Sequence, residues 1–227
     1  MCDKVRYYFG WFYGIVPNEI AGMINHDLTC HKSLVVVHTM PQDFAHNDET
    51  MNFTKHTWFE PAGVSFDNYH SIDHRINKED AQQLLRDASA ILFHGGSSDG
   101  LHAFISQYEL EEAARESRAS VIMGASAGGM NMAKRFAHGK WIDDNNREPA
   151  SIFEGMGFNN FALQSHAVCT LESLAEQAHT KNYLMPLSNE LDVYVACTES
   201  TIRILGENME FYGDVYKISN QEITKMQ

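Results

Sequence analysis

A serine flanked by small residues stands in Gly124-Ala125-Ser126-Ala127-Gly128, a G-x-S-x-G pattern. The apolar run Val121–Gly124 precedes it and a helix-forming stretch follows, which is the strand–turn–helix setting of a nucleophile elbow. A turn this sharp holds its central residue in strained backbone space and lifts the hydroxyl clear of the sheet, and only small neighbours fit around it. The amide of the next residue, Ala127, then points the same way from a helix N-terminus, an oxyanion donor at the positive end of a dipole. Such a serine does acyl transfer once a base stands beside it.

A second glycine-rich segment, His94-Gly95-Gly96-Ser97-Ser98, ends the apolar run Ala90–His94 one strand–helix unit earlier. Glycines there let backbone amides approach a ligand closely, and adjacent strand ends of a doubly wound sheet are where sites form. Gly95 and Gly96 are therefore candidates for substrate binding through their backbone amides. Three histidines lie downstream of the elbow: His138, His166 and His179. His166 follows the short apolar segment Phe161–Ser165 and would be held at a sheet end, whereas the other two fall in polar stretches. Asp143 and Asp144 after the elbow helix, or Glu190 and Asp192 before a later strand, are the acids that could orient the base. Strand–helix crossings also collect Gly, Ala and Ser for packing alone, so the motif gains its meaning from this context.

The surrounding pattern alternates short apolar runs with helical periodicity, the signature of a mostly parallel, doubly wound α/β sheet with helices on both faces. Val5–Phe9 reads as the first strand and Pro17-Asn18-Glu19 opens a helix through His26. Ser33–His38 reads as a strand buried on both faces. Residues 41–70 read as a loop with one helix near Thr50–Phe59, and Ile72–Ile76 as a short strand. Asn77 caps a helix through Asp87. After the glycine segment a single helix is expected from Leu101 to Ser117, and the elbow helix is expected to run to Arg135. Beyond Ile152, strands at Val193–Ala196, Thr201–Leu205 and Glu210–Ile218 suggest a short β-rich C-terminal part.

With 227 residues, 44% hydrophobic and 21% charged, the chain suits one hydrolytic α/β domain over 1–227. A net charge of −13 repels phosphates and argues against nucleic acid or an anionic membrane as partner. No apolar leader follows Met1, and no run nears the roughly 20 residues of a membrane span, so a cytoplasmic protein is expected. Cys2, Cys30, Cys169 and Cys197 lack zinc-type spacing and are expected as free thiols. The 12 histidines carry only a weak ligand-spacing signal, and neither a metal nor an organic cofactor is expected.

Taken together, these segments resemble the family that contains peptidase E (aspartyl dipeptidase) and cyanophycinase, whose fold is related to class I glutamine amidotransferases. ILFHGGSSDG resembles the family's strand–GGN–T segment, MGASAGGMNMA its G-x-S-A-G-A-N motif, and NNFALQSH the segment ending in the catalytic histidine. The resemblance implies Ser126 as nucleophile, His166 as base and the amides of Gly96 and Ala127 as oxyanion donors. It implies Asp143 as the acid, with Asp144 or Glu190 as alternatives, and a short peptide or related amide as substrate without a cofactor. Oligomeric state is left open. Ser97 stands where the family has Asn, and Gly129 and Met130 where it has Ala and Asn. Residues 167–185 hold no arginine and one lysine, Lys181, where peptidase E carries arginines for the substrate's aspartate. Aspartyl specificity is not expected to carry over.

Other readings are weaker. In an α/β-hydrolase esterase the HGG loop lies well ahead of the elbow and the histidine near the C-terminus. A glutamine amidotransferase uses cysteine where Ser126 stands. A catalytically silent binding protein on the same scaffold is the remaining alternative.

Overall fold

The computed structural model describes residues 4–138, 141–143, 146–147, 150–167 and 170–227, and the side chains of 141–149 and 166–169 fall outside that description. Five strands run parallel: β1 (Val5–Phe9), β2 (Ser33–Val37), β3 (Asn68–Ile72), β4 (Ala90–Phe93) and β5 (Val121–Ala125). Later strands are β6 (Ala133–His138), β7 (Trp141–Asp143), β8 (Asn146–Arg147), β9 (Ser151–Glu154), β10 (Asn159–Ala167), β11 (Val193–Cys197), β12 (Thr201–Leu205), β13 (Asn208–Tyr212), β14 (Val215–Ser219) and β15 (Glu222–Lys225). The main sheet has seven strands in the order β13-β12-β1-β5-β4-β2-β3, with β12 and β13 antiparallel. A second, six-stranded sheet runs β15-β14-β11-β10-β6-β9.

Side-chain alternation explains the layers. Val35, Val37, Ile91, Phe93 and Ile122 enter one core, while Leu34, Val36, Leu92, Val121 and Met123 enter the core on the opposite face. Helix α1 (Asn18–Asp27) supplies Ile20 and Ile24 to the second of these cores. Helix α2 (Phe44–Phe53) runs into a π-helical turn, Thr54–Phe59, that seats Trp58 there as well. Helices α3 (Lys78–Asp87), α4 (Ser98–Tyr108) and α5 (Leu110–Glu116) cover the first core through Leu85, Phe104 and Ala113. Phe161, Leu163 and Tyr194 of the second sheet join that same core, so the two sheets share it. Among the described residues no helix is long and apolar enough to cross a membrane.

Several expectations need correcting. The helix in 41–70 begins earlier than Thr50, because the Asp43 carboxylate accepts the His46 N–H and caps it. Strand β3 is Asn68–Ile72 rather than Ile72–Ile76: it is an edge strand, half-exposed and polar, so no apolar run marks it. The expected Leu101–Ser117 helix starts at Ser98 and breaks at Glu109, which sits in left-handed backbone with φ 51°. The elbow helix α6 stops at Met132 instead of Arg135. Its good helix formers Ala133, Lys134 and Arg135 are drawn into β6 by pairing with β9 and β10, tertiary pairing outweighing propensity. Glu210–Ile218 splits at Gly213 (φ 72°) into β13 and β14, which belong to different sheets. The β-rich C-terminal part is thus shared out: β12 and β13 extend the main sheet, while β11, β14 and β15 join β6, β9 and β10 in the second sheet. Cys197, at the end of β11, is disulfide-bonded and not a free thiol, while Cys30 is free.

Candidate active site

Strand β5 ends at Ala125 and Ser126 follows it, with φ 51° and ψ −114°, as the cap on which α6 (Ala127–Met132) starts. A residue with a Cβ holds this conformation only under outside constraint. Here the Ser126 N–H donates to the Phe9 carbonyl at 3.0 Å and the Met130 N–H donates back to the Ser126 carbonyl at 3.0 Å. The glycines of the motif are packing requirements: a Cβ on Gly124 would meet the Gly129 nitrogen at 2.6 Å, and one on Gly128 the Phe93 carbonyl oxygen at 1.8 Å.

Pairing of β4 with β5 sets Phe93 opposite Gly124, so the chain after Phe93 emerges beside Ser126. Gly96 has φ 137°, and a Cβ there would sit 2.1 Å from Thr39 Oγ1. The Thr39 hydroxyl donates to the Gly95 carbonyl at 3.1 Å and fixes that peptide. Ser97 accepts the Gly100 N–H and caps α4. Among the described residues the N–H groups of Gly96 and Ala127 have no hydrogen-bond partner, the condition an oxyanion donor must meet.

Ser126 is 9% exposed and lies in a cleft of about 1030 Å³. Gly95, Gly96, Ala127, Gln164 and Ser165 line it with the serine, and Trp11, Tyr13, Phe53 and Met130 add large apolar side chains to the lining. Glu49 and Asp99 are its described acids, and His46, His94 and His138 its described histidines. Among the described residues no three metal-ligating side chains converge, His70 and His74 included despite their H-x-x-x-H spacing.

The histidines differ in environment. His94 is fully buried and burial holds its imidazole down to about 4; its Nε2 has no hydrogen-bond partner among the described residues. His38 behind it is pushed to about 3 by burial and by His94. His138 Nε2 lies 3.8 Å from the Asp99 carboxylate. That carboxyl is held below its ordinary range first by the Ser97 hydroxyl, with help from the Gly100 N–H and His138 against the opposing effect of burial. His179 is set back from the cleft and bonds Gln164 Oε1 at 3.0 Å.

Of the sequence-predicted residues, Ser126, Gly95, Gly96 and Ala127 come together in one cleft. His166 lies in β10, where the register with β11 slips between Ser165 and Ala167. Its side chain, that of Asp143 in β7, and all of Asp144 fall outside the described residues. Glu190 is exposed and paired with Arg135 at 2.7 Å, and Asp192 with Lys217 at 2.7 Å, so both are engaged elsewhere. Sequence reasoning misses Trp11, Glu49 and the Asp99–His138 pair as a unit. Asp99, directly after the glycine segment, is the one detectable signal among them.

Comparison with known proteins places the architecture. A family model described as peptidase family S51 matches residues 41–211. Among solved structures, the chain is similar to a peptidase from an acI-B1 Actinobacterium, with a TM-score of 0.71 and 13% identity, covering 99% of this chain and 94% of that one. It is also similar to a putative peptidase E protein from Listeria monocytogenes EGD-e, with a TM-score of 0.60 and 12% identity, covering 92% of this chain and 98% of that one. At such identities the likeness is one of fold. No curated protein sequence matches the chain.

Proposed function

The chain belongs to peptidase family S51 and is a serine-type peptidase resembling peptidase E, and on that premise we propose that Ser126 is its nucleophile, acting on short peptides within a single hydrolytic domain. The observation that carries this reading is the strained Ser126 backbone lining a cleft beside two N–H groups that have no partner among the described residues. Ser126 Oγ attacks the scissile carbonyl as a base takes its proton. The Gly96 and Ala127 amides receive the developing oxyanion, and the C–N bond breaks as the base passes its proton to the leaving amine. Water, deprotonated by the same base, then hydrolyses the acyl-enzyme to free the acid and restore Ser126. His166 serves as the base: Gln164 and Ser165, just before it on β10, line the cleft, and the resemblance gives it that role. Asp143 orients it.

One observation favours a second assignment of the base. His138 shares the cleft with Ser126 and has Asp99 beside it, a histidine–carboxylate pair on the described side of the site. In either case the test is covalent. A fluorophosphonate probe should add to Ser126, identified by peptide mass, and Ser126→Ala should lose both labelling and peptidase activity while remaining folded. Full peptidase activity in that variant would remove the assignment.

A further inference from the structure

Building on Ser126 as nucleophile, we infer that the cleft selects peptides with a bulky apolar side chain beside the scissile bond, aromatic above all, and rejects a carboxylate there. The aromatic wall begins one glycine away from the nucleophile. A Cβ on Gly95 would meet Trp11 Cζ3 at 2.5 Å and Ser126 Cβ at 3.3 Å, so the indole and the serine flank the same residue. Phe53 stacks with Trp11, ring planes 5° apart and centroids 6.2 Å apart, and Trp58 abuts the indole edge-on at 4.9 Å. Trp58 is fully buried and fixes the indole, yet Trp11 and Phe53 stay partly exposed and Tyr13 is 69% exposed. Rigid, partly exposed rings that line a cleft are the apolar complement of a ligand side chain.

The charges in the cleft point the same way. Its described lining holds two carboxylates, Glu49 and Asp99, and no lysine or arginine. His94 is kept neutral by burial, and His138 already has the Asp99 carboxylate beside it. Lys181, the one lysine in 167–185, is bound to Glu176 at 2.6 Å. A substrate carboxylate would surrender its water and face like charge, with no lysine or arginine in the cleft's described lining to meet it. A phenyl group gains by burial against the Trp11–Phe53 stack.

The test uses the dipeptides Phe-Ala, Ala-Phe, Asp-Ala and Ala-Asp, with amino-acid release followed by chromatography and fluorophosphonate labelling of Ser126 run in parallel. The better phenylalanine dipeptide should exceed both aspartyl dipeptides by about 100-fold in kcat/KM. Trp11→Ala and, independently, Phe53→Ala should each shrink that ratio by about tenfold, chiefly through KM, with Ser126 still labelled. Glu49→Lys should raise aspartyl turnover. An aspartyl preference, or a ratio unmoved in both ring variants, overturns the inference while labelled Ser126 leaves the nucleophile standing. Failure of the wild-type protein to label would instead remove the nucleophile and the specificity with it.

Discussion

Gly128 lies so close to Phe93 that a Cβ on the glycine would stand 1.8 Å from the Phe93 carbonyl oxygen. This contact sets the elbow helix directly on the end of β4, and from β4 the chain runs on to Gly95 and Gly96. The spacing of the two proposed oxyanion donors therefore depends on the absence of one methyl group. Gly128→Ala has to push α6 away from β4, and overpacking of this kind costs about 1–3 kcal/mol. Activity should fall further than stability, by at least about 100-fold, because a small displacement of an oxyanion donor is costly. Urea melts beside peptide hydrolysis will show this, and an alanine variant with unaltered kcat would separate the helix position from catalysis.

The strain at Ser126 makes a second expectation. Its φ of 51° and ψ of −114° are imposed by the turn and disfavour any residue with a Cβ. Ser126→Gly relieves that strain, and the gain exceeds the added freedom of the unfolded glycine chain. It should therefore be inactive yet more stable than Ser126→Ala by about 1 kcal/mol, read from urea midpoints. Equal midpoints would mean that the turn carries no strain.

The base is decided by comparing two single variants. If His166 takes the proton, His166→Ala should lose about a thousandfold or more in kcat while His138→Ala stays within about tenfold of the wild type. The reverse ranking would give the role to His138 and Asp99.

What is legible in the sequence and what is not follows from which interactions are local. SLVVV of β2 and AILF of β4 are buried on both faces and announce themselves as strands, whereas the half-exposed NYHSI of β3 carries no such run. Gly124, Ser126 and Gly128 form one contiguous turn, so the elbow can be read from one short segment. Ala133–His138 cannot, because its strand state exists only through partners on β9 and β10. Trp11 is equally hidden. Nothing near it in the chain says that its ring lies against Gly95, which follows β4, with β5 standing between that strand and β1.

Acid should weaken the fold before carboxylates begin to protonate, through His38 and His94. Their rings are 6.3 Å apart, both are buried, and burial is the main cause that lowers them to about 3 and about 4. His38 nitrogens bond Ser71 and Thr50, with Asp73, Arg75 and His46 as the charged or titratable groups around it. In the unfolded chain each would titrate near its ordinary value of about 6.5. Below that pH the unfolded state binds protons that the native state refuses, so stability present above about 6.5 is lost progressively toward about 4, each histidine adding a slope of up to about 1.4 kcal/mol per pH unit. His94→Phe keeps a ring between Trp11 and Trp58, with which His94 now packs at 5.5 and 5.6 Å, and removes both the titration and the unpartnered Nε2. Urea midpoints measured from pH 7.5 to 4.5 should fall about half as steeply in that variant as in the wild type. A wild-type midpoint that stayed level across this range would show that neither histidine is held neutral by the fold.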